Sequence, residues 1–230
     1  MRLTHKIKKI CTTLASVVLS FCITAYGQSL KIVKKNKTYR QEVRQDSLQK
    51  MVELKKMIPG LVYDLRYSTK NNFMHQQLYN HSGTSFLRFL PASNLYKIQK
   101  ELQTKGYGLK IFDAYRPYSI TQKMWELIHD DRYVADPSKG SGHNRGLAVD
   151  LTIIELSTGK ELDMGTGFDN FTDSAHHSFK ALPPSVLTNR QLLRSTMEAF
   201  GFKALETEWW HYSWPNDRNY EVLDLEFRKL

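Results

Sequence analysis

Beyond its first 27 residues this chain has no cysteine. The two it contains, Cys11 and Cys22, both fall inside that N-terminal segment. A disulfide framework and a thiolate metal site are thereby excluded from the remainder, so any metal must be held by His, Asp or Glu. The first 27 residues in turn lack acids. Arg2, Lys6, Lys8 and Lys9 precede an apolar or small stretch, Ile10 to Ala25, which ends at Ala25-Tyr26-Gly27 with small residues at both positions of a signal-peptidase site. A basic start, an apolar middle and a small-residue exit describe a secretory signal peptide over 1–27. The apolar run is short for a membrane span, and bulky Phe21 before Cys22 suits a lipoprotein site poorly. The expectation is an exported, periplasmic protein with no stable membrane insertion after signal cleavage. That compartment permits disulfides without requiring them.

The formal charge of +10 is inflated by the signal; without its four basic residues, 29 Lys+Arg stand against 23 Asp+Glu, a net +6. Much of the excess sits in Lys31, Lys34, Lys35, Lys37, Arg40 and Arg44. This stretch shows no aromatic pattern for base stacking, so it reads as a solvated basic tether over 28–46 and no nucleic-acid partner is expected. Residues 47–230 have the length and apolar content of one domain. There is no internal repeat, and oligomeric state is not readable.

Periodicity places a helix over 47–57, a strand over 61–67 and an irregular stretch over 71–88. Residues 92–106 read as an amphipathic helix stopped by Gly106, and 109–115 as a strand. Pro117 opens a helix to about His129; 130–142 is loop and 147–156 is strongly β-prone. After an irregular 164–184, Thr188 and Gln191 are spaced as a capping box for a helix to Phe200, and 202–214 holds a last strand or pair of strands. Strands and helices mix without strict βαβ alternation. The fold class is therefore α+β, with a central, mostly antiparallel sheet flanked by helices.

Two segments carry chemistry: His143-Asn-Arg-Gly-Leu-Ala-Val-Asp150, and Glu208-Trp-Trp-His211. Together they supply two imidazoles, one carboxylate and a second carboxylate three residues before the last imidazole. Three N/O ligands with a fourth position open to water describe a catalytic zinc site, and the extra glutamate suits a general base. Both spacings are odd, which on regular strands would separate the partners onto opposite faces. His143 must then lie in a Gly-rich loop folded over a strand end, and a bulge or bend near Trp209-Trp210 must aim Glu208 and His211 together. Taken singly, each residue has a plainer reading. His143 would be a backbone-bonded loop residue, Asp150 would pair with Arg116 or Arg145, and Glu208 would be a surface acid.

The combination resembles the zinc D-alanyl-D-alanine dipeptidases, the type known from vancomycin resistance. The resemblance is carried by Ser141-Gly-His143 through Asp150, by Glu208 to His211, and by Asp113-Ala-Tyr-Arg116-Pro117. Met164 to Asp169, Ser174-Ala-His176-His177 and Tyr63 to Phe73 extend it over about residues 60–214. The broader fold is that shared with D,D-carboxypeptidases, L-alanyl-D-glutamate endopeptidases and the Hedgehog signalling domain. The resemblance implies His143, Asp150 and His211 as ligands of one Zn2+, Glu208 as catalytic base and Arg116 as oxyanion stabiliser. It also implies Asp169 and Tyr67 holding the free amine of a small dipeptide, with Ser141 assisting. Asp169 would otherwise form an Asx-type turn. His176 and His177 read as loop-stabilising or supporting residues, and Trp209 and Trp210 as core and pocket wall. Two alternatives stay open: a wall-trimming carboxypeptidase or endopeptidase of the same fold, and a non-catalytic zinc module. One departure bears on biology: the resistance-type enzymes usually work in the cytoplasm, so export here points to salvage of the dipeptide.

Overall fold

The computed structural model describes residues 30–79 and 83–230; the signal peptide expected over 1–27 lies outside them. In chain order the elements are β1 (Ile32–Val33), α1 (Asn36–Gln45), β2 (Met51–Glu53), α2 (Leu54–Met57), β3 (Val62–Tyr63), β4 (Phe86–Arg88) and α3 (Phe89–Gln103). They continue with β5 (Tyr107–Asp113), α4 (Tyr118–Leu127), α5 (Gly142–Arg145), β6 (Ala148–Glu155), α6 (Pro184–Ala199), β7 (Lys203–Leu205), β8 (Glu208–Ser213) and β9 (Val222–Leu223).

Five strands form the central sheet in the order β3-β5-β6-β8-β7. Only β3–β5 is parallel; the other three pairs are antiparallel, as the α+β expectation required. The middle strand β6 is buried at every position but its last, which suits its mainly apolar composition, interrupted by the buried Asp150 and Thr152. One face of the sheet packs on α3 and α6, through Leu95, Ile98, Leu102, Leu193 and Met197 against Leu109, Ile111, Leu151 and Ile153. A second apolar cluster gathers Val33, Tyr39, Tyr67, Tyr79, Tyr115, Met124 and Phe227, joining both ends of the described chain to α4.

Four local expectations differ from what is observed. Residues 30–45 are not a tether. β1 runs parallel to β9, and Tyr39 of α1 is buried with its hydroxyl accepting from the Met51 amide at 2.8 Å. Lysines dominate the composition there, and they hide the few apolar residues that dock the segment. Residues 47–57 are not one helix but a 3-10 turn, β2 and the short α2. β2 pairs with β4, a strand inside the stretch read as irregular, and a pairing partner more than thirty residues away leaves no local periodic signal. Finally α6 starts at Pro184, not at Thr188, whose hydroxyl donates to the Pro184 carbonyl inside the helix. A proline in the first turn suffices as a start signal. The last segment does resolve into a strand pair, β7 and β8.

Candidate active site

Two irregularities in the sheet bring the chemistry together. Between β5 and β6 the register runs Ile111 opposite Leu151 and then Asp113 opposite Asp150, so Phe112 is an extra residue. Such a bulge re-aims side chains at a strand end, and here it sets Asp113 beside Asp150. Between β7 and β8 the register jumps from Ala204–Tyr212 to Leu205–Glu208. That is the bend the odd Glu208–His211 spacing demanded. His211 is also the direct cross-strand partner of Asp150.

His143 arrives from α5, a single helical turn where a loop was expected. Ser141 caps it: its hydroxyl accepts the Asn144 amide at 3.1 Å, while the Asn144 side chain accepts the Ser141 amide at 3.0 Å. Asn144 also donates to the Arg116 carbonyl and to the Thr121 hydroxyl, and the Arg116 amide donates to the His143 carbonyl. The turn is thus clamped onto the segment after β5. It ends at Gly146 with φ +69°, where an added Cβ would stand 2.6 Å from the Met51 sulfur.

The three expected ligands converge. His143 Nε2 lies 3.2 Å from His211 Nδ1, His211 Nδ1 lies 2.9 Å from one Asp150 oxygen, and His143 Nε2 lies 3.4 Å from the other. A metal held tetrahedrally about 2.0–2.1 Å from each ligand atom would set such edges near 3.3 Å, so the donor set fits one. Among the described residues this is the His/Cys/Asp/Glu group able to hold a metal ion. His143 Nδ1 sits 2.6 Å from the Ala114 carbonyl oxygen. A carbonyl only accepts, so Nδ1 carries the proton and Nε2 presents its lone pair to the cluster. Burial opposes the charge on Asp150, yet His143 and His211 hold it below the ordinary carboxylate range. Burial in turn lowers His211. Neutral imidazole beside ionised carboxylate is the protonation state a metal needs.

Glu208 is buried, with one oxygen 3.9 Å from His211 Nδ1. Its burial, reinforced by Asp150 and Asp169 and opposed by Arg116, pushes its carboxyl well above the usual range. Arg116 is also buried. Its Nε and Nη2 donate to the same Asp113 oxygen at 3.0 and 2.9 Å, and its guanidinium lies 4.9 Å from the centre of the Tyr67 ring. Burial would lower Arg116, but Asp113 and its neighbours raise it overall, so it stays charged. Asp113 takes a further hydrogen bond from the Tyr79 hydroxyl at 2.8 Å.

Across a cavity of about 290 Å³ stand Asp169 and Tyr67. The Tyr67 hydroxyl donates to one Asp169 oxygen at 2.9 Å; the other is buried without a partner. Asp169 has φ +60°, an uncommon conformation for a residue with a side chain. Burial pushes its carboxyl up to about 7, against the hydrogen bond from Tyr67. Ser141, Arg116, His143, Asp150, Glu208 and His211 line the same cavity, so all eight predicted site residues meet in one place. The volume is at the small end of ligand pockets. A larger groove of about 800 Å³ between β2 and the C-terminus holds none of these groups.

Sequence reasoning missed the Tyr79–Asp113 support of Arg116, although Asp113 lay inside a matching segment. It also missed the aromatic rim of Phe73, Phe171 and Tyr133, whose rings meet at 5.3 and 4.8 Å. These come from separate loops and have no local signature. Trp210 lines the cavity and Trp209 is buried, its indole donating to the Thr166 hydroxyl. His177 faces a different groove, with Arg190 and Arg194, and is outside the metal cluster.

The model of the peptidase M15 family, described as D-ala-D-ala dipeptidase, matches residues 46–229. A D-alanyl-D-alanine dipeptidase of Escherichia coli is 34% identical over 177 residues, covering 77% of this chain and 91% of that protein. Proteins of the same description from Enterococcus faecium and Enterococcus faecalis are each 31% identical, covering 69% of this chain and 88% of their own lengths.

Proposed function

Since this chain belongs to the M15 peptidases, within the D-alanyl-D-alanine dipeptidase family, we propose that it hydrolyses free D-alanyl-D-alanine to two D-alanines. The observation that carries this reading is a metal-competent triad and a buried glutamate on one wall of a small cavity, with an unsatisfied carboxylate on the other. His143, Asp150 and His211 would hold one Zn2+ per chain. When bound, zinc lowers the pKa of water to near neutrality and polarises the scissile carbonyl.

The remaining steps belong to the chain's own residues. Glu208 takes the proton of the attacking water and delivers it to the leaving amine, a role suited to a carboxyl whose pKa is raised by burial. Arg116, locked by Asp113, presents its guanidinium to the negative charge that develops on the carbonyl oxygen. Asp169, oriented by Tyr67, pairs with the free ammonium of the dipeptide. An acylated or extended amine would bury that carboxylate unpaired, which selects against longer substrates. Ser141 uses its lone pairs as a cap acceptor and keeps its O–H for substrate. The signal-like residues 1–27 support export, and with it salvage of the dipeptide in the periplasm; recovery of the protein in the cytoplasmic fraction would refute that part.

The test compares D-alanyl-D-alanine, its N-acylated form and a peptidoglycan pentapeptide, using zinc-loaded parent and Glu208→Ala protein. Cleavage of the free dipeptide alone, lost in the variant while zinc stays bound, is the expected outcome. Cleavage of the blocked or longer substrates would assign a wall-trimming peptidase. Bound zinc without any cleavage would leave a binding module.

A further inference from the structure

The net positive charge of residues 28–230 is concentrated in one short segment. Within residues 28–230, the segment 31–44 carries six basic side chains and one acid. Everything else in that range holds 23 basic against 22 acidic residues, so the net +6 resides almost wholly in fourteen positions. Those positions precede the family match, which begins at residue 46. The charge therefore lies outside the matched region and away from the residues that line the cavity.

The structure shows how the addition is presented. α1 turns Tyr39, Glu42 and Val43 toward the domain and leaves Lys37, Arg40 and Arg44 exposed. Their spacing of three and four residues puts these three cations on one helical face. Lys34 and Lys35, exposed just before the helix, extend the same basic surface. Lys31 is neutralised by Glu42 at 3.0 Å and Glu221 at 3.2 Å. Among the described residues, none of the other five is in an ion pair. Nor does helix stability call for Lys37, although Arg44, in the last turn, does favour the helix dipole. The first turn of α1 has no acid and no side-chain cap, and cations there oppose the helix dipole.

We propose that this face of α1 docks the enzyme on an anionic phospholipid surface as a peripheral, salt-sensitive contact. Clusters of four to eight Lys/Arg on a helix are a pattern that binds acidic headgroups, and Lys34, Lys35, Lys37, Arg40 and Arg44 place five on and just before α1. No aromatic residue is exposed among the five cations to stack on bases, and stacking is what single-stranded nucleic acid would require. The face has no apolar stripe for insertion, so the contact is electrostatic and weakens with salt.

The experiment uses the protein as processed and purified from the expressing cell. It is sedimented with vesicles of phosphatidylcholine alone, or of phosphatidylcholine and phosphatidylglycerol in equal parts, at low and high salt. The comparison is the variant Lys34→Gln, Lys37→Gln, Arg40→Gln, Arg44→Gln. The parent should partition onto the mixed vesicles only and be released by salt. With roughly fivefold in partition per cation, the variant should lose more than about tenfold. Unchanged dipeptide hydrolysis in the variant shows that it is folded. Equal partitioning of parent and variant, equal binding to neutral vesicles, or stronger retention on duplex DNA at the same salt would each overturn the assignment.

Discussion

Arg116 is hydrogen-bonded to Asp113, with an oxygen of Asp150 3.8 Å away, and Asp113 in turn takes a hydrogen bond from a phenol. Asp113 accepts from Arg116 at 2.9 and 3.0 Å and from Tyr79 at 2.8 Å, all in buried surroundings. Arg116→Ala should lower kcat by on the order of 10²–10³-fold, as for removal of an oxyanion donor. Tyr79→Phe, which only frees Asp113, should cost kcat about tenfold with KM nearly unchanged; steady-state kinetics would separate the two, and an intact kcat would remove Tyr79 from the account. Asp169 titrates within reach of experiment. With its carboxyl raised to about 7, it is protonated at lower pH and cannot pair with an ammonium. The free-enzyme profile of kcat/KM should therefore fall on the acid side. Tyr67→Phe removes a hydrogen bond that lowers this pKa, so the limb should move to higher pH, and an unmoved limb would count against Asp169 as the amine acceptor. For stability the sign is opposite. The unfolded carboxyl ionises near 3.9, so metal-free protein loses stability as pH rises from about 4 to about 7. Asp169→Asn should raise the melting temperature of the metal-free protein at about pH 8 and not at about pH 4.

At the scale of elements, α5 is the part on which the ligand set depends. A single turn makes few hydrogen bonds of its own, so its Ser141–Asn144 capping box and its Gly146 terminus carry much of its order. Gly146→Ala places a Cβ 2.6 Å from the Met51 sulfur at φ +69°. Met51 is buried in β2, so it has little room to yield. Both the melting temperature and the zinc affinity should drop, measured by calorimetry and by competition with a chelator. Gly159→Ala is the control: φ is +71° but nothing lies within 4 Å of the new atom. It should cost about 1–2 kcal/mol of backbone strain and leave zinc affinity alone.

At the scale of the whole molecule, the proposed ligands come from α5, β6 and β8, so a metal bound there would tie together parts of the chain up to 68 residues apart. A ligand present at about a thousand times its Kd stabilises the native state by about 4 kcal/mol. For a domain of this size each kcal/mol corresponds to about 2–4 °C. Chelation should therefore lower the melting temperature by roughly 10 °C, reversibly on adding zinc, while reductant should have no effect on the cysteine-free residues 28–230. A shift absent on chelation would show that the triad holds no metal in the purified protein. Among the described residues no helix is long and apolar enough to cross a membrane.

The candidate site residues, which converge in one cavity, were legible in sequence because their chemistry is rare and their order along the chain is distinctive. His143, Asp150, Glu208 and His211 combine types that seldom cluster by chance, and the mixture of element periods was enough for an α+β sheet. What sequence could not supply was aim. The odd spacings 143–150 and 208–211 were visible as a parity conflict, but the register shifts that resolve it arise where two strands pair, and pairing is a property of neither strand alone. The docked segment 30–45, the strand pair β2–β4 and the Tyr79–Asp113–Arg116 chain were hidden for the same reason. Each depends on a partner distant in sequence, whereas periodicity and propensity report only on neighbours. Sequence by itself determined which groups are the candidates for the chemistry; the tertiary structure decided where they point, because direction is set by contacts that exist only once the chain has folded.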